Sequence, residues 1–123
     1  MAYEYDNENI FARILRGEIP NDTVMESEYC LAFRDIQPQA PEHILVIPKG
    51  AYVNFDHFGA EASDAELVDF SRMVAKIAQA IGAAPGAGGQ GYRLIANTGT
   101  HGVQDVPHFH MHLLGGRQLG RML

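Results

Sequence analysis

The sequence has a single cysteine, no apolar run long enough to span a bilayer, and fewer basic than acidic side chains. Each scarcity excludes something. Cys30 alone cannot close an internal disulfide. In Glu28-Tyr29-Cys30-Leu31-Ala32-Phe33 it alternates as a small core residue would, which suits a reducing compartment. Nine Lys and Arg against fifteen Asp and Glu give a net charge of −6. That balance argues against nucleic acid or an anionic membrane as the main partner, yet leaves room for a small phosphorylated ligand held by local donors. The segment Met1–Asn9 is acidic and polar, unlike a secretory signal. Cytoplasm is the expected location. Internal repeats and dividing linkers are also missing. One domain over residues 1–123 is expected, with a core that needs neither disulfide nor metal as a staple.

Against this plain background stands one dense feature, His108-Phe109-His110-Met111-His112. In an extended strand, residues i, i+2 and i+4 line one face, so the three imidazoles stack on one side and Phe109 and Met111 point to the other. Leu113-Leu114 and the Gly115-Gly116 break support a strand over His108–Leu114. A row of imidazoles can bind metal, move protons or attack an electrophile. Three on a flat strand converge poorly on a tetrahedral ion, and no cysteine pair or Glu-x-x-His adds ligands. Phosphoryl or nucleotidyl transfer fits better, with one histidine attacking phosphorus and its neighbours orienting it. Residue type alone leaves metal binding open.

The remaining pattern is that of an α+β domain. A short helix is predicted over Asn9–Arg16, from Ile10, Phe11, Ile14 and Leu15, with Gly17 and Pro20 beyond it. The long helix starts from Ser63 and Glu66 as a capping box and carries Leu67, Phe70, Val74, Ile77 and Ile81 as a stripe, with Gly82 as its stop. Thr23–Ser27, Tyr29–Asp35, His43–Ile47, Tyr92–Asn97 and His108–Leu114 read as strands, and His43–Ile47 is apolar enough for burial on both faces. The expectation is about five antiparallel strands with one long and one short helix. The glycine-rich Ala84–Gly91 lacks the Gly-Lys-Ser/Thr ending of a phosphate loop and reads as a flexible connection. His57 and His101 have no alternating partners and read as surface or loop residues.

His108–Leu114 resembles the histidine-triad signature, His-φ-His-φ-His-φ-φ with φ apolar, and Gly115-Gly116-Arg117-Gln118 resembles the Hint branch of that family. Two more blocks agree: Leu31–Lys49, and Ile10–Ile14 with Gly17-Glu18-Ile19-Pro20. The resemblance runs from about residue 9 to 118. It implies hydrolysis of the P–N bond of purine nucleoside 5′-phosphoramidates through a nucleotidyl-histidine intermediate, without metal or other cofactor. It implies His110 as nucleophile, held by the backbone carbonyl of His108. His112 would be donor and proton source, and His43 would bond into the triad. Asn97 and the loop bearing Val103 and Asp105 would meet the phosphate with His110 and His112. Asp35 would accept from ribose hydroxyls, and Phe11, Ile14, Phe33, Ile36 and Leu45 would form an apolar slot for the base. It also implies a homodimer in which two sheets join. Two residues depart from the family pattern: Val103 stands where glycine is usual, and Asp105 where many members carry serine. A carboxylate beside a phosphate is repulsive and accepts only, and a valine narrows the loop's conformations. A nucleotide-binding adaptor with little turnover is the alternative these two residues raise, beside a metal-binding protein.

Overall fold

The computed structural model describes residues 3–122. Its chain order is α1 (Ile10–Leu15), β1 (Thr23–Glu26), β2 (Cys30–Arg34), β3 (Glu42–Pro48), α2 (Phe55–Glu61), α3 (Asp64–Ala80), β4 (Tyr92–Ile95) and β5 (Met111–Gly115), with a single 3-10 turn at Pro85–Ala87. The strands form one antiparallel sheet in the order β1-β2-β3-β5-β4. β3 lies at its centre, buried along nearly its whole length.

Alternation along the central strands builds two cores. Cys30, Ala32, Ile44, Val46 and Leu113 face α3, where Phe70, Met73, Val74, Ile77 and Ala78 are buried. Leu31, Phe33, Leu45 and Ile47 face the other way and pack with Phe11 and Ile14 of α1. A one-residue slip would exchange these sets, so the register is firmly specified. Phe109 joins the first core, its ring 5.0 Å from both Phe58 and Phe70. The histidine face lies on the opposite side of the sheet, with α1.

α3 starts where the capping box places it: Ser63 accepts from the N–H of Glu66, and the Glu66 carboxylate accepts from the N–H of Ser63. Gly82 follows with φ +76°, a left-handed stop. Three details differ from the expectation. A third helix, α2, is present; Asn54 caps it by accepting from the N–H of His57, and Phe58 anchors it in the core. β5 begins at Met111, not His108, because its pairing with β3 ends at Val46 and Pro48 has no N–H to offer a ladder. Ala84–Gly91 is tightly turned, and a Cβ on Gly89 would lie 2.4 Å from the Ala83 carbonyl carbon, so this glycine serves close packing. No helix among the described residues is long and apolar enough to cross a membrane.

Candidate active site

Four histidines meet on the α1 face, and each ring has an assignable proton. Pro48 contributes only a carbonyl oxygen, 2.8 Å from Nε2 of His108, so that nitrogen carries the hydrogen and donates. Nδ1 of His108 is then a lone pair and accepts from the Tyr5 hydroxyl. The His108 backbone oxygen lies 2.7 Å from Nδ1 of His110, so His110 donates there and keeps its lone pair on Nε2. On the other side, the backbone N–H of Gln39 donates to Nδ1 of His43 at 3.0 Å. His43 therefore carries its hydrogen on Nε2 and donates to Nδ1 of His112 at 2.9 Å. His112 is left with its hydrogen on Nε2. Three rings that look alike in the sequence thus differ: His108 is bonded at both nitrogens, His110 keeps a lone pair on Nε2, and His112 carries its hydrogen on Nε2.

Burial keeps them neutral. It pulls His108 down to about 4 and is the largest cause of the same shift to about 4 in His112, where His110 and His43 lower it further. His110 is lowered by burial against the opposing pull of the His108 carbonyl, Asp105 and Asp35. His43 is lowered by burial although Asp35 favours its charged form. The 3.4 Å approach of His43 Nε2 to Asp35 is therefore a contact with a neutral ring and not an ion pair. The edge of Phe11 meets His110 at 5.0 Å, covering one side of its ring.

Asp35, His43 and His112 each present one potential ligand atom, all within 4.8 Å of one another. The donor set does not suit a metal ion. His43 would have to ligate through Nε2, yet the Gln39 N–H on Nδ1 fixes the ring's hydrogen at that same nitrogen. His43 and His112 are joined by a hydrogen bond instead, with Asp35 in contact beside them.

Of the five residues expected in an apolar slot, Phe11, Ile14, Phe33 and Leu45 are buried together, with Val106 packed against them. Ile36 stands 91% exposed. It follows Asp35, whose Oδ1 accepts from the N–H of Gln37 in a tight turn that turns Ile36 outward. Asn97 lies half-buried just past β4. Val103 has φ +55°, the only non-glycine residue with positive φ among those described, and Asp105 is exposed beyond it.

Four participants were invisible to motif reasoning. Gln104 donates through Nε2 to the carbonyls of Val53 at 2.7 Å and Val106 at 2.8 Å, and so pins the loop that carries Val103 and Asp105. Gln39 and Pro48 act through backbone groups, for which a side chain gives no signal. Tyr5 lies in the acidic amino-terminal stretch, outside every block that carried the resemblance.

The HIT domain family profile matches residues 16–119. A 13.2 kDa HIT-like protein of Azospirillum brasilense is 54% identical over 123 residues, covering 100% of this chain and 98% of its own. The purine nucleoside phosphoramidase of Escherichia coli is 50% identical over 116 residues, covering 94% of this chain and 93% of its own. Among solved structures, a HIT family hydrolase from Clostridium thermocellum superposes with a TM-score of 0.84 at 37% identity, over 96% of this chain and 99% of that one.

Proposed function

The chain belongs to the histidine triad (HIT) family, and from that membership we propose that it hydrolyses purine nucleoside 5′-phosphoramidates to the nucleoside monophosphate and an amine. The observation that carries the reading is the neutral His110, anchored through Nδ1 and free at Nε2. A fixed lone pair is what in-line attack on phosphorus requires.

Nε2 of His110 forms a bond to phosphorus, and the P–N bond breaks with its electron pair going to nitrogen. The departing nitrogen leaves as an amine, having taken its proton from solvent. Positive charge on the His110 ring is met by the His108 carbonyl at Nδ1. His112 offers Nε2–H to a phosphoryl oxygen or the leaving nitrogen, its orientation set by His43. Water then attacks the nucleotidyl-histidine and gives up a proton to solvent, the P–N bond to His110 breaks with its electron pair returning to Nε2, and AMP or GMP is released. In this reading Asp35 accepts from ribose, and the apolar cluster of Phe11, Ile14, Phe33 and Leu45 backs the base. Asn97, Val103 and Asp105 belong to the phosphate side in this reading. No step needs a metal ion.

Hydrolysis of adenosine 5′-phosphoramidate by the wild type and by His110→Ala, each with and without chelator, tests it. Wild-type turnover that resists chelation and falls by about a thousandfold or more in the variant is expected. AMP binding without wild-type turnover would make the protein an adaptor, with Asp105 and Val103 as the residues that changed its role. Loss of turnover on chelation would restore the metal reading.

The same reading includes a homodimer and a cytoplasmic location. Edge strand β4 exposes Tyr92, Leu94 and Ile95 at 38%, 43% and 37%, beside an apolar groove that includes Phe55, Leu67 and Met111. An unpaired apolar edge is a template for a second strand, and a second copy supplies one. Light scattering should give twice the chain mass. A monomer at micromolar concentration would reject this.

A further inference from the structure

From Tyr3 to Asn9 the amino-terminal arm is fastened at several points, and it meets the triad at His108. Tyr3 stacks on the His57 ring at 5.0 Å with planes 19° apart and donates to Asp56 at 2.5 Å. Asn7 gives its carbonyl to Nη1 of Arg16 at 2.6 Å, and Asn9 Nδ2 donates to the Asp6 carbonyl at 2.7 Å. Between these anchors the arm turns Tyr5 inward, where its ring meets His108 edge-on at 5.6 Å.

His108 is fully buried, so each ring nitrogen needs a partner that is not water. Nε2 has Pro48, and among the described residues the only group at Nδ1 is the Tyr5 hydroxyl at 2.5 Å. The direction of this bond is forced. A carbonyl at Nε2 demands a hydrogen there, which leaves Nδ1 as acceptor and the phenol as donor. Burial raises the Tyr5 phenol above its ordinary value, so it keeps that hydrogen throughout the physiological range.

We propose that Tyr5 is a positioning residue for the nucleophile: its hydroxyl locks the ring and tautomer of His108, whose backbone carbonyl aims His110. Without the hydroxyl, His108 has no good alternative. Moving the hydrogen to Nδ1 would set a lone pair on Nε2 against the Pro48 oxygen. Keeping it on Nε2 leaves a buried acceptor unpaired. Either way the residue shifts, and its carbonyl moves with it. The carbonyl holds His110 at 2.7 Å, so the displacement is felt at the attacking nitrogen. Tyr5 also lies outside residues 16–119, the span matched by the family profile.

The kinetic arm of the test rests on the proposed phosphoramidate activity; a spectroscopic arm does not. Tyr5→Phe keeps the ring and removes the hydroxyl. Tyr3→Phe removes a hydroxyl from the same arm that bonds only at its outer end. For Tyr5→Phe, kcat should fall about tenfold to a hundredfold with KM within about twofold of wild type. Tyr3→Phe should leave both unchanged. Nitrogen-15 spectra of the histidine rings should show Nδ1 of His108 moving towards an unbonded value in Tyr5→Phe. The Nδ1–H of His110 should then exchange faster with solvent. Unchanged spectra for both rings in Tyr5→Phe overturn the proposal, whether or not the wild type turns over substrate. A kcat loss in Tyr3→Phe equal to that in Tyr5→Phe also overturns it, because the arm's docking and not the hydroxyl would then matter. If the wild type hydrolyses nothing, the functional reading fails while the ring spectra still decide the role of Tyr5.

Discussion

Acidification from pH 7.5 to pH 5 should destabilise this protein through its buried histidines. His108 and His112 each sit at about 4 in the folded chain, against an ordinary 6.5 in the unfolded one. Between those values the unfolded chain binds protons that the folded chain refuses, so stability falls as pH falls. Each ring accounts for about 2 kcal/mol by pH 5 and about 3 kcal/mol once pH passes below both values. His43 and His110 are shifted in the same direction and add to the loss. The stabilised carboxylates Glu66 and Asp69 are pulled below their ordinary values of 4.5 and 3.8, so their contribution disappears only at lower pH. The window from 7.5 to 5 therefore belongs to the histidines. Two rings alone give about 4 kcal/mol, a large share of the roughly 5–15 kcal/mol that holds a domain of this kind. Urea denaturation followed by circular dichroism reads this directly. With a slope of about 2 kcal/mol per molar, the midpoint should drop by about 2 M between the two pH values. An equal midpoint at pH 7.5 and pH 5 would refute the reasoning, because it would mean these rings are as easily protonated in the fold as in water. The same neutrality leaves His110 a lone pair, so the acid sensitivity and the proposed nucleophilicity have one origin in burial.

Two further predictions concern the loop that carries Val103. A β-branched residue at φ +55° and 71% exposed carries left-handed strain with no burial to offset it. Val103→Gly should stabilise the fold by about 0.5–1 kcal/mol after the unfolded-state entropy of glycine is counted, raising Tm by about 2–4 °C. A lower Tm would show that the valine makes contacts that outweigh the strain. Gln104→Ala removes both bonds that hold this loop to Val53 and Val106, and should cost about 1–2 kcal/mol while raising KM for the phosphoramidate. An unchanged KM, with the stability loss present, would detach the loop from substrate binding.

Sequence patterning was most legible where a period repeats. The two cores follow from alternation in Cys30–Phe33 and Ile44–Ile47, and α3 from its apolar stripe and capping box. α2 escaped because it is seven residues long with Gly59 inside it, and its only strong signals are the Asn54 cap and a Phe55/Phe58 pair. β5 was read too long because alternation continues through His108 and Phe109 after the ladder has ended. Side chains still alternate there, held by the bonds of Phe109 N–H to Tyr52 and of His108 to Pro48 and not by strand pairing.

The deeper limit lies in what distinguishes the histidines from one another. A sequence shows His108, His110 and His112 as three copies of one side chain, and any of them could attack, donate or bind metal. Their roles separate only when each ring's hydrogen is located, and three of the groups that locate it are backbone atoms: the carbonyls of Pro48 and His108 and the N–H of Gln39. Backbone groups are the same in every residue, so their positions are set by the fold and leave no mark in composition or spacing. Pro48 is a partial exception. Its ring denies β3 a ladder donor at the point where β5 pairing stops, while its oxygen remains to fix His108. The metal question turns on the same logic. Asp35, His43 and His112 make a credible ligand set by residue type, and one N–H from Gln39 turns the central ring into a donor. The chemistry of this site is therefore decided less by which side chains converge than by which backbone atoms meet them.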